Sequence, residues 1–226
     1  MTSNVFDRLA DHYDAWFDTP RGSAIFAAEV ACLRRVMPRD ISAWIEVGVG
    51  SGRFAAALGV NEGVDPSPAM LQKASARGIR TIVARAEKLP YASRSIRGIL
   101  LVVTLCFLRE PASALRESAR VLAEDGELLV GIVPAESAWG EVYRLKGRAG
   151  HPFYSAAQFY TCPEVVAMAG RAGFEPAASA STLAVAPDAP LEALPVLDGI
   201  EPGCGFVGMR FVLRRPTRPP GAGTTR

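Results

Sequence analysis

The sequence is poor in the residues that build metal centres and disulfide frameworks. Its 226 residues include only four cysteines and two histidines, and no two cysteines form a Cys-x-x-Cys pair. Because a structural zinc site needs several such ligands close together, we expect no metal site. The wide spacing of the cysteines is typical of free thiols in a reducing compartment.

Neither sign of charge is in large excess, and no apolar run is long. The net charge is +2, and the arginines are scattered, so no basic stretch predicts a nucleic-acid partner. The N-terminus carries charges where a signal peptide needs an apolar core. The longest apolar run, around 98–108, is too short to cross a bilayer. These absences predict a cytoplasmic protein without membrane insertion.

Short apolar runs and helical patterns alternate through the first two thirds of the chain. Because the runs are almost continuously apolar, they are predicted to be parallel strands covered on both faces. Helical patterns precede the first run, at 5–36, and separate later ones. The alternation predicts an α/β fold with a doubly wound sheet. The predicted strands are 43–47, 62–64, 80–84, 98–103, 127–133, 174–182 and 206–215.

The chain length suits one core, so we predict a single domain over residues 1–213. The segment 134–162 leaves the alternation of strands and helices and carries six aromatic residues. We therefore expect an inserted cap there. The last residues, 214–226, lack apolar periodicity and are predicted to form a disordered tail.

A glycine-rich loop follows the first predicted strand, with Gly48, Gly50 and Gly52 at alternating positions. A dinucleotide-binding loop would need a further glycine where Arg53 stands, which disfavours a nicotinamide cofactor without eliminating it. Asp65, at the end of the second strand, has the position from which a carboxylate accepts the hydroxyls of a ribose. A tight turn beside an exposed aspartate is the plain structural alternative.

Glu46 is a charged residue inside a predicted buried strand, two positions before Gly48. A buried carboxylate is costly unless it is paired or meets a ligand. A dinucleotide has no ammonium at that point, whereas S-adenosylmethionine has one in its amino acid portion. These residues therefore favour S-adenosylmethionine as the cofactor.

Four motifs together point to a known family: E-x-G-x-G-x-G at 46–52, GVDPSPAML at 63–71, ARAEKLPY at 84–91 and EPASALRESARVLAEDGEL at 110–128. In this order the chain resembles the class I S-adenosylmethionine-dependent methyltransferases, and among them the UbiE-like small-molecule group. The resemblance covers about residues 5–175. It implies a Rossmann-like methyltransferase fold, with a mostly parallel seven-stranded sheet and a small helical and aromatic cap. It also implies methyl transfer to a small-molecule acceptor by in-line displacement.

The resemblance also implies which residues hold the cofactor, motif by motif. They are Tyr13 closing over the cofactor, Glu46, Gly48, Gly50 and Gly52 at the methionine portion, Asp65 at the ribose, Pro66 and Met70 at the adenine face, Ala86 and Glu87 at the adenine edge, and Thr104 or Leu105 near the sulfonium.

Plain structural roles stay open for several of these residues. Pro66, Met70 and Leu105 also suit simple packing, and the tyrosine of the N-terminal helix also suits a core position. Arg85 stands where many relatives have an aspartate. Recognition of the adenine amine then falls to the backbone or to Glu87, which could also be a solvated loop charge.

The acceptor pocket is expected under the cap, beside the carboxyl ends of the strands. His151 is the candidate general base there, although a lone histidine is commonly structural. Tyr143, Tyr154 and Tyr160 are candidates to orient the substrate, or they form the small core of the cap. The aromatic, weakly charged cap favours a small and partly apolar acceptor.

Two other functions stay open at this point. One is a nicotinamide-dependent oxidoreductase, which Arg53 and Glu46 disfavour. The other is a module that binds S-adenosylmethionine without turnover, since the sequence contains no unambiguous catalytic base.

Overall fold

The computed structural model describes residues 5–192 and 194–214, and these contain one eight-stranded sheet. In chain order the strands are β1 Trp44–Val47, β2 Glu62–Asp65, β3 Arg80–Val83, β4 Ile96–Val102, β5 Leu122–Ile132, β6 Phe174–Thr182, β7 Leu197–Asp198 and β8 Phe206–Leu213. They pair in the order β3-β2-β1-β4-β5-β8-β6-β7. The first five strands pair in parallel, and the last three join antiparallel.

The predicted doubly wound, Rossmann-like sheet is confirmed, but the strand count of seven is wrong. The additional strand is β7, which lies in a proline-rich connection and pairs with β6 through only two residues, Leu197 with Ser181 and Asp198 with Ala180. A two-residue strand has no measurable apolar period, so the sequence gives no signal for it. Of the predicted disordered tail, everything after Arg214 lies outside the described residues.

Eight α-helices are described: α1 Val5–Arg8, α2 Ala10–Trp16, α3 Pro20–Val36, α4 Arg53–Leu58, α5 Pro68–Ala76, α6 Pro111–Val121, α7 Ala138–Arg148 and α8 Cys162–Arg171. The helical pattern over 5–36 is thus three helices. The second break has a clear cause, since Thr19 Oγ1 accepts a hydrogen bond from the Gly22 amide and Pro20 occupies the first helical position. No helix of the described ranges is long and apolar enough to cross a membrane.

The core consists of two layers, one on each face of the sheet. Side chains alternate between the faces along each strand. In β1, Trp44 packs into the layer that contains α3 and α4, and Ile45 packs into the layer that contains α6 and α8. This alternation puts Glu46 on the same face as Trp44, towards α3 and α4.

The strand order reverses between β1 and β4, so the loops after these two strands leave the sheet side by side. Oγ1 of Thr104, which follows β4, lies 3.4 Å from the carbonyl oxygen of Gly48, which follows β1, and 3.0 Å from that of Val102, the nearer acceptor for its proton. Doubly wound sheets bind ligands at such a switch point. The predicted cap segment contributes α7 and a 3-10 turn, Tyr154–Ala156, above this edge.

Candidate functional site

A cavity of about 880 Å³ opens at the switch point, and we call it the glycine-loop cavity. Of the residues predicted to hold the cofactor, all but two line it. Those that line it are Tyr13, Glu46, Gly48, Gly50, Asp65, Pro66, Met70, Ala86, Glu87 and Thr104.

The two predicted residues outside the cavity lining are Gly52 and Leu105. Leu105 is 1% exposed and packs in the core layer with Leu115. It points into the core because it begins a 3-10 turn directly after Thr104. Gly52 has a φ of +81°, and a Cβ there would lie 2.9 Å from Cα of Ala74. Its role is therefore to let α5 pack closely against the loop.

The other two glycines differ from each other as well. At Gly48, with a φ of +75°, a Cβ would lie 2.4 Å from Cγ2 of Thr104. At Gly50, with a φ of +51°, a Cβ would meet no atom within 4 Å. Gly48 thus allows the two loops to touch, and Gly50 leaves open space over the cavity.

Asp65 ends β2 with its carboxylate held by two backbone amides. Oδ2 accepts a hydrogen bond from the amide of Gly50 at 3.0 Å, and Oδ1 accepts one from the amide of Ser67 at 2.8 Å. Burial raises the pKa of this carboxyl despite both bonds. Each oxygen retains further lone pairs, so the carboxylate can accept two more hydroxyl groups without moving.

Glu46 is 1% exposed, and its Oε2 is buried without a hydrogen-bond partner in the part of the chain that the structure describes. Burial raises the pKa of this carboxyl well above its ordinary value. A cation bound in the cavity would satisfy the orphaned oxygen. A buried acid for an ammonium, a fixed carboxylate for hydroxyls and open space at Gly50 together fit S-adenosylmethionine.

Arg53 occupies the position where a dinucleotide-binding loop has a further glycine. In the structure its ion pairs hold the N-terminal helices over the glycine-loop cavity. Its Nε lies 2.6 Å from Asp14 Oδ1, and its Nη2 lies 2.8 Å from Asp18 Oδ2. Arg77 Nη2 binds the second oxygen of Asp14 at 2.8 Å. Burial opposes the charge on Asp14, but the hydrogen bonds from the two arginines hold its pKa well below the ordinary value.

Two more contacts join α1 and α2 to α5. Lys73 Nζ lies 2.5 Å from Asp11 Oδ1, and Ser67 Oγ donates a hydrogen bond to Asp7 Oδ1 at 2.6 Å. The acids of the N-terminal helices thus face basic and hydroxyl groups of the body. This arrangement holds Tyr13 at the cavity, and no periodicity in the sequence predicts it.

A second cavity, of about 270 Å³, adjoins the first, and we call it the aromatic cavity. Tyr13 and Phe153 line both cavities, with their ring centroids 5.4 Å apart. Tyr143 and Tyr154 stack at 4.7 Å. The rings that line the aromatic cavity are Tyr13, Trp16, Phe17, Phe54, Phe107, Trp139, Tyr143, Phe153, Tyr154 and Phe159.

Three of the four predicted acceptor-side residues line the aromatic cavity: Tyr143, Tyr154 and His151. The ring of His151 stacks on Tyr154 at 4.5 Å. Burial, then the charges of Lys146 and His12, lower the pKa of His151. Tyr160 is the exception, because it lies just before α8 and its ring packs against the core layer with α6 and α8, away from both cavities.

Glu29, on α3, is a further residue of the aromatic cavity that the sequence argument missed. It is 7% exposed, and burial raises its pKa to about 8. The signal was present in the sequence, because Glu29 interrupts an apolar helical run just as Glu46 interrupts an apolar strand. Within residues 5–192 and 194–214, no three His, Cys, Asp or Glu side chains are grouped to hold a metal ion.

Comparison with known proteins agrees with this geometry. A family model described as a methyltransferase domain matches residues 45–130. An uncharacterized protein of Mycobacterium tuberculosis is 39% identical over 211 residues, which cover 93% of this chain and 74% of the relative. An uncharacterized protein of Methanocaldococcus jannaschii is 36% identical over 172 residues, which cover 76% of this chain and 82% of the relative.

A solved structure is similar along almost its whole length. It is a Thermotoga maritima protein described as a S-adenosylmethionine-dependent methyltransferase and possible histamine N-methyltransferase. It is 33% identical and superimposes with a TM-score of 0.86, covering 93% of this chain and 99% of that chain.

Proposed function

We propose that this chain, which belongs to the S-adenosylmethionine-dependent methyltransferases, methylates a small molecule held in the aromatic cavity. Family membership makes the chain an enzyme with S-adenosylmethionine as its cofactor, which argues against both a nicotinamide-dependent oxidoreductase and a module without turnover. The observation that carries the proposal is the aromatic cavity next to the glycine-loop cavity. The size of the aromatic cavity, about 270 Å³, is near the lower end of ligand pockets.

The residues of the glycine-loop cavity divide into roles that follow from their contacts. The carboxylate of Glu46 would pair with an ammonium, and Asp65, held by two amides, would accept ribose hydroxyls. When bound, S-adenosylmethionine supplies an electrophilic methyl group on a positively charged sulfur, which in-line attack displaces. Thr104 lines the glycine-loop cavity, and its chain neighbour Val103 lines both cavities.

The rings shared by the two cavities would exclude water and hold the acceptor in line. Tyr13, Phe107 and Phe153 line both cavities, so they would contact both reactants. Orientation and exclusion of water are the main contributions that a protein makes to such a displacement. His151 lines the aromatic cavity with a lowered pKa and stays a candidate general base. We also propose a cytoplasmic location, which the four free cysteines support.

Filling the aromatic cavity tests the proposal. Val142 lines that cavity on α7 and does not line the glycine-loop cavity. Val142→Trp should abolish methylation of a small-molecule extract by methyl-labelled S-adenosylmethionine and leave calorimetric affinity for S-adenosylhomocysteine unchanged. Leu145→Trp is the matched control, because Leu145 is exposed on the same helix. Label found only in protein or RNA would contradict the proposal.

A further inference from the structure

Glu29 carries the most deeply buried charge of the aromatic cavity. Its side chain lines the cavity and is 7% exposed. Over residues 5–192 and 194–214, Glu29 makes no hydrogen bond and no ion pair. An unpaired buried carboxylate is costly, so Glu29 needs either a proton or a cation nearby.

The groups that surround Glu29 supply no positive charge. Burial raises the pKa values of Tyr13 on α2, Tyr143 on α7 and Tyr154 in the 3-10 turn, and the nearby carboxylate of Glu29 adds to each rise. The thiol of Cys32, on the same helix as Glu29, is affected in the same direction. Burial raises the pKa of Glu29 to about 8. A cation in the cavity would favour its ionised form.

The positive groups of this cavity lie at its rim. The guanidinium of Arg21 lies 5.7 Å from the ring centroid of Trp139, and the ammonium of Lys146 lies 5.6 Å from that of Tyr143. Both side chains are exposed, as is His12, and His151 is half-buried. The interior is therefore aromatic with one buried acid, Glu29, and two of its rings already attract cations at the surface.

We propose that the methyl acceptor is a small amine whose protonated nitrogen lies among these rings and pairs with the carboxylate of Glu29. This inference rests on the proposed function, because it names the class of molecule that the aromatic cavity holds. An ammonium neutralises the buried acid and gains cation–π contacts with the surrounding rings. An alcohol does neither, and an acid adds a second negative charge beside Glu29.

Calorimetry on the full chain, saturated with S-adenosylhomocysteine at neutral pH, tests the inference with three probes of one shape. They are 2-phenylethylamine, 2-phenylethanol and phenylacetate. We expect the amine to bind about tenfold or more tightly than the alcohol, and the acid to bind most weakly. Equal binding of the amine and the alcohol, stronger binding of the acid, or no binding of the amine would overturn the inference.

The variant Glu29→Gln removes the charge and keeps the shape. It should lower the affinity for the amine about tenfold or more and leave the affinity for the alcohol unchanged. Glu141→Gln is the matched control, because Glu141 is on α7 outside the cavity lining and already pairs with Arg144 and Arg148. If Glu29→Gln binds the amine as tightly as the wild type does, Glu29 does not pair with the protonated nitrogen.

Thermal unfolding gives a second measurement that does not depend on turnover. Because the folded-state pKa of Glu29 is raised from 4.5 to about 8, its contribution to stability is full below the lower value and is lost as the pH rises through the upper one. Relative to the wild type, Glu29→Gln should therefore gain stability as the pH rises from 4.5 to about 8, and it should keep that gain at higher pH. The amine should raise the Tm of the wild type in that range by more than it raises the Tm of the variant.

Turnover separates the failure of this inference from the failure of the proposed function. Methylation of a neutral or acidic small molecule, with no amine methylated, would overturn the amine assignment and leave the proposed function intact. Methylation of protein or RNA alone would overturn both.

Discussion

The two adjoining cavities of this protein are built in different ways. The glycine-loop cavity is lined in large part by the loops that follow β1, β2 and β4, with one carboxylate from β1 and one from β2, Glu46 and Asp65. The aromatic cavity consists of side chains from helices far apart in the chain, such as Tyr13, Glu29 and Trp139. A site made by strand ends is positioned by the sheet itself, whereas a site made by side chains exists only after the helices have packed.

The difference suggests how each cavity can change. The sheet and its hydrogen bonds hold the residues predicted to bind the cofactor, so these residues should tolerate little alteration. The aromatic rings come from several helices and loops and pack against one another, so the same scaffold can accommodate different acceptors. Tyr13 and Phe153 belong to both cavities and connect them.

The largest effect is expected from Gly48→Ala, compared with Gly50→Ala. Both glycines have positive φ, which costs an alanine about 1–3 kcal/mol. Only at Gly48 does the new Cβ also collide with Thr104, which adds about 1–3 kcal/mol. Urea denaturation should therefore show a clearly larger loss of unfolding free energy for Gly48→Ala. Equal losses would mean that the two loops do not pack as described.

Asp65→Ala should weaken cofactor binding in the glycine-loop cavity and leave acceptor binding in the aromatic cavity unchanged. Each hydrogen bond to a charged acceptor contributes about 1.5–3 kcal/mol, so affinity for S-adenosylhomocysteine should fall markedly in calorimetry. The KM for the acceptor should change little, because Asp65 does not line the aromatic cavity. Asp65→Asn, which keeps one carbonyl oxygen, should lie between. Unchanged affinity would show that the ribose lies elsewhere.

Arg53→Ala should loosen the helices that close over both cavities. Arg53 and Asp14 are both largely buried, with exposed fractions of 15% and 12%. We expect a loss of about 1.5–3 kcal/mol in unfolding free energy and weaker binding of S-adenosylhomocysteine. The control is Arg94→Ala, which breaks only the exposed pair with Glu124 and should cost less than about 1 kcal/mol. If both variants behave alike, Arg53 does not secure the helices.

The smallest effects are expected at two tyrosines of the cap segment, Tyr143 and Tyr160. Tyr143→Phe removes a hydroxyl that interacts with Tyr154 in the aromatic cavity, and it should raise the acceptor KM by the equivalent of about 0.5–1.5 kcal/mol. Tyr160→Phe should leave the KM unchanged, because the ring of Tyr160 lies outside both cavities. If steady-state kinetics show a larger rise in acceptor KM for Tyr160→Phe than for Tyr143→Phe, Tyr160 contacts the substrate after all.

The sequence by itself determined the sheet and most of the glycine-loop cavity. Continuous apolar runs identify buried parallel strands, and the order of the runs gives the doubly wound fold. A ligand site at the ends of such strands is local in sequence, so Glu46, Gly48, Gly50 and Asp65 could be predicted from the motifs around them. The two-residue strand β7 and the inward turn of Leu105 could not, because neither has a periodic signal.

Tertiary structure alone decided the aromatic cavity and the closure over both cavities. The contact between Arg53 and Asp14 joins residues 39 positions apart, and the rings around Glu29 come from several helices. Which side chains meet depends on how the helices pack on the sheet, and each helix has several faces that could have been buried. A motif fixes the local backbone, whereas the meeting of distant side chains is set only by the packing of the whole core.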